Sequence, residues 1–258
     1  MDKKIKKVAI DATMEAGELL LKKFKTFSRK EMVLKTKRDL VTKADLESEK
    51  AIIKRIKKEF PDHAILAEES GKNKKKSDYL WIIDPLDGTT NFSMHNPLWG
   101  VSIAVAYKNK VVFAVVNAPY LHEMYIAEEG QGAQMNSQDI MVSKIKPEKV
   151  LNTYCHGSKD KDIKRAVKYY VRQKMNGFDC RQLGAASLEL AFVAAGRIES
   201  IAIPGANSWD VAAGILIVRE AGGEVTDFKG KDWNLETGDM VASNGRVHDD
   251  LVNILKNI

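Results

Sequence analysis

The chain has 258 residues, 44% of them hydrophobic and 29% charged, with a formal net charge of +6. That is ordinary globular composition, and a chain this long buries about 70–75% of its unfolded surface, enough for a full core in one domain or two close-packed ones. No apolar stretch approaches the roughly 18 residues of a membrane span, and Met1-Asp2-Lys3-Lys4-Ile5 is charged where a secretory signal is apolar, so the expected location is cytoplasmic. Ile5, Val8, Ala9, Ala12, Ala16, Leu19 and Leu20 recur at helical spacing and predict a helix over 3–25. A polar segment from Lys35 to Lys43 leads to a second helix, Lys43 to Lys58, which Pro61 breaks. Ala64 to Ala67 reads as a strand that delivers Glu68-Glu69, and Tyr79 to Ile83 as another that delivers Asp84. Val101 to Tyr107 and Val111 to Val116 flank Lys108-Asn109-Lys110, a hairpin pattern, and Glu123 to Ala127 is a further strand before the turn at Gly130-Gln131-Gly132.

Beyond about residue 145 strands and helices alternate. The predicted strands are Val150 to Tyr154, Ile198 to Ile203, Gly223 to Phe228 and Met240 to Ser243. The predicted helices are Asp160 to Lys174, Ala185 to Ala195, Ser208 to Ala221 and Val247 to Lys256. Residues 1–145 and 146–258 therefore read as two halves, α+β and α/β in character, that share one cleft. Cys155 and Cys180, with no CxxC and no paired histidine spacing, read as buried free thiols. The lysine excess reads as a solvated surface and Lys72-Asn73-Lys74-Lys75-Lys76 as an exposed loop. The basic residues meet no aromatic stacking pattern, so neither nucleic acid nor a membrane is an expected partner.

The most informative run is Trp81-Ile82-Ile83-Asp84-Pro85-Leu86-Asp87-Gly88-Thr89-Thr90-Asn91-Phe92. An apolar strand ends on one carboxylate, and a second follows three residues later. Pro85 cannot donate to a ladder, so the strand is expected to stop there, turning Asp84, Asp87 and the Leu86 carbonyl toward one point. Oxygen donors on a stiff turn suit a hard cation. Gly88-Thr89-Thr90 opens a helix whose N–H groups suit a phosphate. An ordinary Asx turn would use the same dipeptides. Glu68, from the end of a neighbouring strand, favours the metal reading, because adjacent strand ends meet at one sheet edge. Asp210, beside Trp209, and Asp45 each sit in the first turn of a predicted helix, where capping is the competing role.

These segments resemble the inositol monophosphatase family of Mg²⁺-dependent, lithium-sensitive sugar phosphatases. The resemblance rests on the 81–92 run and on Trp209-Asp210-Val211-Ala212-Ala213-Gly214, with Asp39 to Asp45 and Glu68-Glu69-Ser70 in the matching order. It implies a layered αβαβα sandwich, usually homodimeric. It implies one Mg²⁺ on Glu68, Asp84 and the Leu86 carbonyl, a second on Asp84, Asp87 and Asp210, and a weaker third near Glu68. Asp45 and Thr89 would act on the attacking water, with Glu68 supporting catalysis. Gly88 and Thr89 would take the phosphate, and Gly184-Ala185-Ala186, with Asp87 and Asp210, would flank the substrate. Li⁺ inhibition follows if the chain is family-like.

The expected reaction is hydrolysis of myo-inositol 1-phosphate or a related sugar phosphate by metal-activated water. Animal-type members carry an acidic residue six positions before the Trp-Asp pair, where this chain has Ile203. That departure keeps fructose 1,6-bisphosphate and broader sugar phosphates open as substrates, with Arg181 a candidate for a second phosphate or for a surface salt bridge. Arg197 is a weaker candidate of the same kind. An RNA-associated regulatory protein on the same scaffold is the alternative from another class. His95 reads as a loop histidine, and His63, His122, His156 and His248 show no ligand spacing.

Overall fold

Apolar positions every third or fourth residue make α1 (Lys3–Phe24), which buries Ile5, Val8, Ala9, Ala12, Ala16 and Leu20 and is capped by Asp2. The computed structural model describes residues 1–36, 39–145 and 150–258. Lys37 and Arg38 of the expected polar segment, and residues 146–149 where the two halves were expected to join, lie outside the described residues. Two short strands, β1 (Val33–Thr36) and β2 (Asp39–Val41), pair antiparallel and lead into α2 (Lys43–Glu59). A capping box opens α2: Thr42 caps the helix, and Asp45 accepts from the Thr42 backbone in return.

The first sheet collects β3 (Ala64–Ala67), β4 (Gly71–Lys72), β5 (Tyr79–Asp87), β6 (Gly100–Tyr107), β7 (Lys110–Ala118), β8 (Glu123–Glu128), β9 (Ala133–Met135) and β10 (Gln138–Ile140). Their order is β10-β9-β8-β7-β6-β5-β3-β4. A short helix, α3 (Thr89–Ser93), leaves the end of β5. Lys108 and Asn109 join β6 to β7 with φ of 49° and 66°, the paired left-handed geometry of a two-residue hairpin turn.

The second half supplies β11 (Leu151–Tyr154), α4 (Asp160–Met175), β12 (Asp179–Arg181), α5 (Ala186–Ala194), β13 (Ser200–Ile203), α6 (Ser208–Glu220), β14 (Glu224–Thr226), β15 (Met240–Ser243) and α7 (His248–Leu255). Its sheet runs β12-β11-β13-β15-β14, with β12, β11 and β13 parallel and β15 antiparallel to both neighbours. One core packs α1 and α2 against the Trp81 and Ile83 face of β5. A second joins the opposite face, through Ile82 and Ala104, to α5, α6 and the strands β13 and β15. A third packs α4 and α7 under the far face. The layers thus run α-β-α-β-α, the mixed architecture that the resemblance implies. No helix among the described residues is long and apolar enough to cross a membrane.

The structure corrects one inference from sequence. β5 does not stop at Pro85 but continues to Asp87. The ladder slips there: Asp84 faces Ser102 and Asp87 faces Gly100, three steps against two. Pro85 lies in this bulge, where its missing N–H costs no ladder bond, and its carbonyl accepts from Ser48 Oγ at 2.8 Å.

Candidate active site

β3 and β5 run parallel with Ala67 opposite Ile83. β3 therefore ends beside Ile83, one residue before Asp84, and the Glu68 N–H donates to the Ile83 carbonyl at 3.2 Å. Glu68 opens into a cavity of about 230 Å³ between the two sheets. The end of β5 and the start of α3 contribute Asp84, Leu86, Asp87, Gly88, Thr89 and Thr90. From the second half come Cys155 and His156 after β11, Gln182, Gly184 and Ala186 around the start of α5, Ile203 at the end of β13, and Asp210 in the first turn of α6. Four carboxylates line this space, and among the described residues no lysine or arginine does.

Thr89 and Asp45 meet at the rim. The Thr89 hydroxyl lies 2.8 Å from Asp45 Oδ1 and 3.1 Å from the Leu86 carbonyl. Asp45 Oδ2 is held from behind by the Thr42 N–H at 2.8 Å and the Thr42 hydroxyl at 2.6 Å. The sequence offered capping or catalysis for Asp45. One oxygen caps, and the other faces Thr89. Burial raises the Asp45 pKa, against these hydrogen bonds. Gly88 turns the chain at φ 87°, and a Cβ there would sit 2.8 Å from the Leu98 carbonyl, so only glycine fits. Asn91 secures the turn by donating to the carbonyls of Leu98 at 2.7 Å and Leu183 at 2.8 Å, tying α3 to the loop before α5.

Asp87 spans the two halves. Its carboxylate accepts from the N–H groups of Ala186 (3.0 Å), Ser187 (2.8 Å) and Leu188 (3.4 Å), and from the Ser187 hydroxyl (2.6 Å). These are orphan donors of the α5 N-terminus. Burial lifts the Asp87 pKa to about 6 even against these donors. Asp84 accepts from the Leu86 N–H at 3.0 Å. Its pKa is driven well up by burial first, then by repulsion from Glu68, Asp87 and Asp210. Asp210 closes a second capping box, accepting from Asn207 N at 3.0 Å and Nδ2 at 3.1 Å. Among the described residues no three acidic, imidazole or thiol side chains already converge as a coordination sphere. Asp87 is turned toward α5, and one Asp210 oxygen is engaged by Asn207.

A model of the inositol monophosphatase family matches residues 1–258. The chain belongs to the inositol monophosphatase family. It is 40% identical over 221 residues to a fructose-1,6-bisphosphatase/inositol-1-monophosphatase of Thermotoga maritima, covering 86% of this chain and 84% of that protein. It is 41% identical over 246 residues to the Nus factor SuhB of Escherichia coli, covering 93% and 91%. Among solved structures, the extragenic suppressor protein SuhB of Bartonella henselae matches with a TM-score of 0.91 at 33% identity over 98% of this chain and 99% of that one. A Thermotoga maritima IMPase matches with a TM-score of 0.88 at 37% identity over 100% and 98%.

Within this family fold, Glu68, Asp84, Leu86, Asp87, Gly88, Thr89, Gly184, Ala186 and Asp210 share the cavity, with Asp45 directly behind Thr89. Ala185 is buried at the α5 N-cap. Arg181 is not brought there. β12 alternates exposed, buried, exposed, so Cys180 points inward and Arg181 outward, where it pairs with Asp179 at 2.9 Å. Gln182, one residue on, lines the cavity instead. Arg197 is engaged bidentately by Glu123 at 2.7 and 2.9 Å. His95 packs against Phe24 and Phe27. Cys155, His156 and Gln182 are the cavity residues that the sequence reading missed. Only their place at the ends of β11 and β12 marks them, and strand order is not visible in a spacing.

Proposed function

We propose that this protein is a Mg²⁺-dependent phosphomonoesterase of sugar or polyol phosphates. The observation that carries the reading is the Thr89–Asp45 hydrogen bond of 2.8 Å beside a cavity lined by four carboxylates and, among the described residues, by no lysine or arginine. The donor set fits a hard divalent cation: carboxylates and the Leu86 carbonyl, all oxygen. Cys155 is no competitor, since burial and Glu189 hold its thiol protonated. Glu68, Asp84, Asp87, Asp210 and the Leu86 carbonyl are the groups that would hold the metal, and the family is generally Mg²⁺-dependent. Bound Mg²⁺ supplies charge neutralisation at the phosphate and a lowered pKa for the attacking water.

The chain's own residues do the rest. The Thr89 hydroxyl gives its proton to Asp45 Oδ1 and takes one from water, so the proton lost by the nucleophile ends on Asp45. The water oxygen then bonds to phosphorus as the phosphorus–alkoxide bond breaks in line, and the alkoxide leaves with a proton from solvent. The N–H groups at Gly88 and Thr89 steady the phosphate. Asp87, at the end of β5, and Asp210, in the first turn of α6, would flank the leaving group. Ile203 offers a polyol no hydrogen bond, which favours a site of broad sugar phosphate range, in keeping with the double name of the Thermotoga relative. The test is Mg²⁺-dependent phosphate release across a panel of sugar phosphates. Myo-inositol 1-phosphate and fructose 1,6-bisphosphate are both expected to turn over. No release from any member with Mg²⁺ present would overturn the reading.

A second reading is favoured by the relatives named Nus factor SuhB and by the net charge of +6: an RNA-associated regulatory role on the same scaffold. Salt-dependent RNA binding that survives Asp87→Asn would support it.

A further inference from the structure

We infer that Glu189 is a positioning residue that holds the substrate-facing turn at Gly184 and Ala185 in place. The inference rests on the phosphatase reading for what the turn does, but not for how it is held. α5 starts without a capping side chain at Ala185. Five consecutive N–H groups, 184 to 188, are instead shared between two carboxylates. Asp87 takes the last three. Glu189, folded back from the first turn of the helix, takes the first two through Oε1, from Gly184 at 2.9 Å and Ala185 at 3.4 Å. The same oxygen accepts from the Cys155 thiol at 3.0 Å, and Cys155 lies on the facing wall of the cavity. Glu189 therefore joins the end of β11 to the turn before α5.

The arrangement is costly for a packing residue. Glu189 is 0% exposed, with the Thr153 hydroxyl beside it. Burying a carboxyl is unfavourable, and a leucine of similar volume would avoid the cost. What a leucine could not do is accept from Gly184, a residue at φ 85° on the cavity wall. Because carboxylates consume all five N–H groups, the turn presents carbonyl and Cα surface to the sugar rather than amide donors. Its position, and so the fit of the sugar, then depends on Glu189.

The test compares Glu189→Gln, Glu189→Asp and Glu189→Leu with wild type, using whichever of myo-inositol 1-phosphate and fructose 1,6-bisphosphate wild type hydrolyses faster. Gln keeps the accepting oxygen and is expected to hold KM within about threefold. Leu removes it and is expected to raise KM at least about tenfold with kcat changed far less, the signature of lost substrate binding. Asp is one methylene too short to reach Gly184 and is expected to behave like Leu, so it decides the matter if Leu does not fold. Amide hydrogen exchange of residues 183–188 is expected to accelerate in Leu and Asp and not in Gln. Unchanged KM and unchanged exchange in a folded Leu or Asp variant would overturn the proposal, as would a Gln variant as impaired as Leu. If wild type hydrolyses neither substrate, the phosphatase reading fails, while the exchange arm still decides whether Glu189 holds the turn.

Discussion

At Asp84 burial and three neighbouring acids all favour the protonated form. Its folded-state pKa stands above the ordinary carboxylate value, so the metal-free native state keeps a proton that the unfolded chain releases. In the interval between the two pKa values the native state binds more protons, and this group's contribution to stability falls as pH rises. Asp84→Asn removes that penalty. In EDTA the variant is expected to have a higher urea midpoint than wild type, with a gain that is small near pH 5 and larger at pH 8. Mg²⁺ is expected to raise the midpoint of wild type and to do little for the variant. A gain that does not change with pH would contradict the electrostatic account.

The α5–α6 layer sets how the second half meets the cavity. Gly214 of α6 lies against Leu190 of α5, and a Cβ there would overlap the Leu190 side chain. Alanine normally gains about 1 kcal/mol over glycine within a helix. Here overpacking is expected to win, so Gly214→Ala is expected to destabilise by about 1–3 kcal/mol in urea denaturation; a stabilised variant would show that the layer yields. Elements of this size were legible in the sequence. α1, α2, α4 and α6 are long enough to read, β3 shows as a short apolar run, and Lys108-Asn109 marks its hairpin. β4, β9, β10 and β12 have only two or three residues, too few to show a period, and were not read. The passage of β5 through Pro85 was misread, because whether a proline ends a strand depends on the partner strand's register. The partner's slip at Ser102 and Gly100 is not a local signal.

Across the molecule, the chain carries a net charge of +6 yet lines its cavity with four acids and, among the described residues, no lysine or arginine. That contrast arises from strand ends of two sheets meeting, and it explains what the sequence could convey. Glu68, Asp84, Asp87, Asp45 and Asp210 each stand where an apolar run breaks or a helix starts, so each was visible alone, and the family resemblance joined them. His156, Gln182 and Cys155 carry no such mark. For Arg181 a second-phosphate ligand and a surface salt bridge both stay open in the sequence, which does not show which way a three-residue strand faces. On the proposed function, these acids and the Thr89–Asp45 pair hydrolyse phosphate esters with a divalent metal. The decisive measurement is phosphate release by wild type and Asp87→Asn, each with Mg²⁺ and with EDTA. Wild-type turnover is expected to need Mg²⁺, and Asp87→Asn, still folded, is expected to lose at least about a thousandfold, roughly 4 kcal/mol of barrier. Near-normal turnover by that variant, or wild-type turnover undiminished in EDTA, would contradict the proposed function.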